Sequence, residues 1–224
     1  MQRLRVRVGW DGVAELRSWP SASFWPRGAA CARPRGGGEG RHEMSAQVST
    51  MARHPWLWNP ATYCHPWSTL AMTSGQRMGV NRYLIRKHHL AMPAPVGPDQ
   101  RPLVDMMTAA WERLDRMAFL LGCFVARPHL LAHRHWVTLD RDARAFLLGC
   151  LPAAGATHTI GGGPVVEAVG ALGRQRMHAL AGKLPAWLGD RLALRFADPG
   201  RGLPWTTCDA AGLWSASRHA AKTA

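Results

Sequence analysis

Acidic residues are scarce in this chain: 14 Asp and Glu stand against 28 Lys and Arg over 224 residues. Beyond residue 50 the only glutamates are Glu112 and Glu167, beside eight aspartates. The one close carboxylate pair, Asp140 and Asp142, sits where helix-capping residues belong, which leaves no obvious basis for two-carboxylate acid–base chemistry. Lysine is nearly missing, limited to Lys87, Lys183 and Lys222. No apolar run reaches about eighteen residues, so no transmembrane helix is expected. The arginine-bearing start MQRLRVRVGWDG leads into no apolar stretch, so it does not read as a secretory signal. Cys31, Cys64, Cys123, Cys150 and Cys208 are scattered, with no CxxC pair. That pattern points to reduced thiols in a cytoplasmic protein and away from a zinc ribbon or a disulfide frame. GxSxG, HExxH, GxGxxG and GKS/T are all absent, and adjacent Cys64 and His65 diverge too far to act as a thiol and its base.

The formal charge of +14 is carried almost wholly by arginine, in a chain also rich in Ala, Gly and Pro. GC-rich coding produces such a profile without selection for a ligand. A basic protein can meet nucleic acid, anionic lipid or an acidic protein, and charge alone does not choose among them. The arginines are spread along the chain and form no dense block. A basic nucleic-acid-binding or regulatory helical protein stands as the rival reading, to be recognised by retention on DNA or RNA that falls steeply with salt. A small helical enzyme, revealed by a cofactor bound to the purified protein, is a third.

An apolar content of 47% supports a real core. The expected fold class is mainly α: a single compact helical domain over 51–200, preceded by a disordered Gly/Pro/Arg-rich extension over 1–50 and followed by a flexible tail over 201–224. Pro26 to Arg41 is too rich in Gly, Pro and Arg to offset the entropy of folding. Met44 and Met51 stand just ahead of the aromatic segment at 58–70, and either is expected as an alternative translation start. Within the domain, Ser68–Leu90 has few apolar residues and reads as a solvated, locally basic helix face around Arg82, Arg86, Lys87, His88 and His89. Met92–Pro102, with its clustered prolines, reads as a linker or irregular wrap. The strongest periodicity predicts a helix over 103–125, since Met107, Trp111, Leu114, Ala118, Leu121 and Val125 recur at spacings of three and four. Glu112 and Arg116 stand there at i, i+4. Pro128 suits the first turn of a short helix through Trp136. Its His129, His133 and His135 lack a Cys or carboxylate at ligand spacing, so no metal is assigned. Thr138 or Asp140 can cap a third helix bearing Ala143, Phe146, Leu147 and Cys150, with Pro152 ending it. Residues 153–163 read as a glycine-rich connector. Pro164 opens a fourth helix with Val166, Val169, Met177, Leu180 and Leu184 apolar, and Gly170, Gly173 and Gly182 either weaken it or admit another helix. Pro185 starts the last expected helix, Ala186 to about Phe196. The tail frays beyond it, with Trp205 and Trp214 able to pack back.

The segment Trp58-Asn-Pro-Ala-Thr-Tyr-Cys-His-Pro-Trp-Ser-Thr-Leu70 stands apart by composition. X-Pro steps bias Asn59 and His65 toward extended geometry, so both are expected outside helix. An aromatic strap with little structure of its own hides its rings only by laying them on something else. Trp56, Trp58, Tyr63, His65 and Trp67 are therefore the partner-binding residues singled out. On residue chemistry alone the same rings equally suit an ordinary buried N-terminal segment. No catalytic or cofactor-binding residue is assigned.

This strap also resembles the N-terminal "NPA-x-Y-x-HP" signature of the SctK or YscK family of type III secretion. Arg113-Leu-Asp-Arg-Met-Ala-Phe-Leu-Leu-Gly122 is similar to its central "RLG-x-x-L" helix. Leu184-Pro-Ala-Trp-Leu-Gly-Asp-Arg-Leu-Ala-Leu-Arg195 is similar to its late "W…RL-x-LR" helix. The resemblance covers about residues 56–197 and leaves the first fifty residues and the segment 82–89 unexplained. It implies a helical, cofactor-free adaptor without catalysis. Such an adaptor bridges the sorting-platform pod of SctQ and SctL to the inner-membrane ring protein SctD, at the cytoplasmic face of the inner membrane.

Overall fold

The computed structural model describes residues 54–150, 163–197 and 204–222. The expected extension over 1–50, the glycine-rich connector up to 162 and the stop at Pro152 lie outside the described residues. Eight α-helices form the described part, and no strand occurs within it. They are α1 Ser74–Lys87, α2 Arg101–Ala109, α3 Leu114–Val125, α4 Arg127–Ala132, α5 Arg141–Gly149, α6 Val165–Ala181, α7 Ala186–Arg195 and α8 Thr207–Lys222.

The predicted stripe is the core. Met107, Trp111, Leu114, Ala118, Leu121 and Val125 are all buried. The helix that carries them is not continuous, however. Ala110 leaves helical geometry (φ −97°, ψ 9°), and a single 3-10 turn over Trp111–Arg113 follows before α3 begins. One tight turn changes the register too little to move the stripe off the core face. It does break the i, i+4 relation between Glu112 and Arg116, and Arg116 instead turns to Asp140 and Asp142. From Leu120 to Val125 every residue of α3 is buried, so this helix runs through the middle of the molecule.

Close approach of the backbones makes that possible. A Cβ on Gly122 would strike the carbonyl oxygen of Val169, and one on Gly173 would strike that of Ala118. The crossing of α3 and α6 therefore tolerates only hydrogen at both positions, one of the two roles open to Gly173 from sequence. Val169, Met177 and Leu180 line the buried side of α6, while Val166 is 46% exposed.

Helix α8 corrects the expected tail. It packs on α3, with Gly212 against the rings of Phe124 and the methyls of Leu121. Its inward face is Asp209, Gly212, Leu213, Ala216 and Ala220, which is helical in spacing but low in apolar bulk. Thr206 and Asp209 form a reciprocal cap: the Asp209 carboxylate accepts from the Thr206 amide (2.8 Å), and the Thr206 hydroxyl oxygen accepts from the Asp209 amide (3.3 Å). The same carboxylate meets Arg176 of α6 at 3.2 Å in a fully buried ion pair. Trp205 packs on the core, whereas Trp214 stays 40% exposed.

The other end of α8 is held by a charge cluster. His219 Nε2 lies 2.6 Å from Asp142, and Arg116 of α3 bridges Asp142 and Asp140. Asp140 also caps α5 by accepting from the Ala143 amide at 2.8 Å, as its position predicts. The Arg116 hydrogen bond holds the Asp140 carboxyl down to about 2 against the opposing effect of burial. For Asp142 burial works upward, but hydrogen bonds from Arg116 and His219 outweigh it and leave the group below its ordinary value.

Helix α4 ends at Ala132, short of Trp136, because Arg134 adopts left-handed geometry (φ 54°) and turns the chain. The turn gathers His129, His133 and His135, with ring centroids 4.5–5.8 Å apart. No group of three His, Cys, Asp or Glu among the described residues is disposed to hold a metal ion. No described helix is long and apolar enough to cross a membrane.

Two outcomes are expected. Gly173→Ala should lower stability by about 2–3 kcal/mol through backbone overpacking. Gly79→Ala, in open space on α1, should raise it by about 0.5–1 kcal/mol; thermal melts of the pair compare the two. Asp140→Asn keeps the capping oxygen but removes the titration. The folded-state pKa of Asp140 is depressed, so its contribution is present at neutral pH and is lost as pH falls from about 4 toward 2. Urea titrations across that window should show a shallower acid limb for the variant.

Candidate partner-docking site at the aromatic strap

Residues 54–70 form a bent segment of three short 3-10 turns, Pro55–Trp58, Pro60–Thr62 and Trp67–Thr69. Proline opens the first two, where a missing N–H costs nothing. Asn59 and His65 both fall outside helix, as the X-Pro steps require, and the His65–Pro66 peptide is cis.

The strap lies on the core. Trp56 stacks on Trp111 with ring centroids 3.7 Å apart and planes 8° from parallel, and Tyr63 meets the same ring edge-on at 5.2 Å. Arg195 of α7 places its guanidinium 5.4 Å from the Trp111 centroid, donates to the Trp111 carbonyl at 2.9 Å and pairs with Asp115 at 2.8 Å. One indole thus joins the strap, α3 and α7.

Polar contacts fix the strap's backbone. Arg191 is 0% exposed, yet no carboxylate of the described residues is bonded to it. Its Nε donates to the Leu57 carbonyl at 3.1 Å, and its Nη1 donates to the carbonyls of Ala91 at 2.8 Å and Trp187 at 2.6 Å. Burial presses its pKa downward. The planar fork suits it to gathering carbonyl oxygens from separate segments. On the other side, buried Asn81 of α1 accepts from the Ala61 amide at 2.9 Å and donates to the Asn59 side chain at 3.0 Å, while Asn59 donates to the Pro55 carbonyl at 2.9 Å. Helix α1 itself starts at a full capping box, Thr73 with Gln76. The apolar signal across Ser68–Leu90 is weak because Val80, Asn81 and Leu84 are its buried residues and one of them is polar.

The five singled-out residues divide. Trp56 and Tyr63 are buried in the core, and burial pushes the Tyr63 hydroxyl upward in pKa. For Trp56 the partner-surface expectation gives way to a packing role, because its face is covered by Trp111. Trp58 and Trp67 are half-buried and His65 is exposed. Trp67 rests edge-on against Tyr83 of α1 at 6.5 Å. Between strap and core lies an open cleft of about 280 Å³ with Pro55, Asn59 and Thr62 on one side and Trp111, Glu112 and Arg195 on the other. Sequence reasoning missed Asn59, Asn81, Arg191 and Arg195; the i, i+4 spacing of the two arginines beside Trp187 was the available signal.

Replacing Arg191 by Met should cost about 2–3 kcal/mol, since the buried Leu57 carbonyl and the part-buried Ala91 carbonyl lose their donor. Hydrogen exchange should then accelerate over residues 54–70 ahead of α3; uniform acceleration would contradict a clasp role.

A family model described as bacterial type III secretion apparatus protein (OrgA_MxiK) matches residues 55–201. Neither a comparison with curated proteins nor one with solved structures returned a match. The matched region begins at the first turn of the strap and takes in α7, the two elements that Arg191 joins.

Proposed function

Since the chain belongs to the bacterial type III secretion apparatus protein family OrgA_MxiK, the SctK family, we propose that it acts in that apparatus as a non-catalytic adaptor. It links a pod of SctQ- and SctL-type subunits to the cytoplasmic domain of an SctD-type ring protein, at the cytoplasmic face of the inner membrane. The observation that carries this reading is the strap. A segment of short 3-10 turns is held by a buried arginine, a buried asparagine and a stacked indole, and it leaves Trp58 and Trp67 half-buried and His65 exposed. Rigid, amphipathic aromatics of this kind are effective anchors for a protein partner, because little side-chain entropy is lost on docking. The carboxylates of Asp115, Asp140, Asp142 and Asp209 serve ion pairs and caps, consistent with an architectural role.

Alanine at Trp58 or Trp67 should weaken complex formation with an SctQ-type subunit by about 2 kcal/mol each, the range of an interface anchor. The thermal midpoint should move little. Titration calorimetry with the purified partner, beside melts of the same variants, separates the outcomes: variants that unfold place the strap in the core and the interface elsewhere. Binding to nucleic acid with a steep salt dependence, and none to the secretion subunits, would favour the basic-protein reading instead.

A further inference from the structure

Helices α5 and α8 stand on either side of an open cleft of about 890 Å³, with the buried rings of Phe124 and Phe146 among its lining. One wall is a stripe of α8: Cys208, Ala211, Trp214, Arg218 and Lys222 recur at spacings of three and four. It follows one helix face over about 21 Å, or four turns. This stripe lies beside the buried one of Asp209, Gly212, Leu213, Ala216 and Ala220 that packs inward. The opposite wall is Ala145, Gly149 and Cys150 of α5. Nothing lies within 4 Å of where a Cβ would stand on Gly149. Trp214 is the large apolar residue that α8 leaves exposed, and it lines this cleft.

Charge along the cleft is one-sided. Arg218 and Lys222 are exposed, and no carboxylate of the described residues pairs with either. Asp142, the one carboxylate of α5, is already held by Arg116 and His219. The cleft therefore offers apolar surface toward the start of α8 and two open cations at its end. An occupant that satisfies both carries apolar side chains along its length and negative charge at one end. A groove four turns long between two helices fits a third helix. Laid antiparallel to α8, such a helix brings its first turn to Arg218 and Lys222, and the first turn is where the helix dipole favours carboxylates. We propose that the α5–α8 groove docks an amphipathic helix of a partner protein, apolar on the face that meets Phe124, Phe146 and Trp214 and acidic in its first turn. The groove shares no lining residue with the cleft under the strap, and α8 lies beyond the matched span of 55–201. It is a second surface, independent of the strap-based reading.

A lipid headgroup surface or a nucleic acid would use the two cations but not the apolar groove, so filling the groove with charge unchanged separates them. The full chain is titrated by fluorescence anisotropy with a stapled four-turn helix that carries leucines along one face and glutamates in its first turn. A proline-broken peptide of the same composition, phosphatidylglycerol vesicles and single-stranded DNA serve as the other probes. Wild type should bind the stapled helix in a salt-sensitive manner. Gly149→Leu and Ala211→Leu should each weaken it by about tenfold by occupying the groove. Neither should lower the thermal midpoint, because Gly149 faces open space and Ala211 is exposed. Arg218→Glu/Lys222→Glu should weaken binding and flatten its salt dependence, whereas Trp58→Ala, on the strap, should bind as wild type does. The proposal is overturned if wild type does not bind the stapled helix, the result that a second copy or another part of the same chain in the groove would give. It is equally overturned if both groove-filling variants bind as tightly as wild type, or if the broken peptide binds as well as the helix. Vesicles or DNA bound through Arg218 and Lys222 more tightly than the helix, whatever occupies positions 149 and 211, would also overturn it.

Discussion

Arg191 ties three parts of the chain together through hydrogen bonds to their carbonyls. Its guanidinium, the bulkiest side chain fully removed from solvent among the described residues, draws the Leu57, Ala91 and Trp187 carbonyls onto one group. A buried charge without its hydrogen bonds is costly, and so is a buried carbonyl without a donor. Each of the three segments is therefore committed to the others. The strap, the proline-rich crossing after α1 and helix α7 form one unit because the penalty for separating them falls on all three at once.

Around that unit the packing is set by size more than by apolarity. Trp111 fills the space under the strap and takes Trp56 on its face, Tyr63 on its edge and the Arg195 cation over its ring. At the far end the need is reversed: Gly122, Gly173 and Gly212 bring α6 and α8 close to α3 because anything larger would collide. Large rings near the strap and hydrogen atoms at the helix crossings are two solutions to the same demand for close packing. The polar counterpart is the pair of charge clusters that pin α8, Arg176–Asp209 at its start and Asp142–His219 at its end.

The central stripe was legible because Met107, Trp111, Leu114, Ala118, Leu121 and Val125 carry a strong apolar signal at helical spacing, and a brief 3-10 turn leaves that signal intact. The buried side of α1, read as a solvated helix face, and helix α8 as a whole were not, for a common reason. Their buried faces hold Asn81, or Asp209 with glycine and alanine, which contribute little to any apolar count. Both announce themselves by capping chemistry instead, Thr73 with Gln76 and Thr206 with Asp209. A reading weighted toward caps finds both.

Residue chemistry and spacing alone determined a helical protein with one central amphipathic stripe, an aromatic strap that has to dock, and an aspartate positioned to cap α5. These are local matters, decided by periodicity, proline geometry and side-chain capping. Which strap ring faces inward, which arginine enters the core and which glycine touches a backbone were decided only by tertiary structure. Trp56 and Trp58 differ little in sequence context, and only the position of Trp111 makes one a core residue and leaves the other half accessible. Arg191 and Arg195 sit one turn apart, and only the placing of the Leu57 and Ala91 carbonyls takes the first fully out of solvent. Long-range geometry supplies those partners, and no property of the residues themselves encodes it.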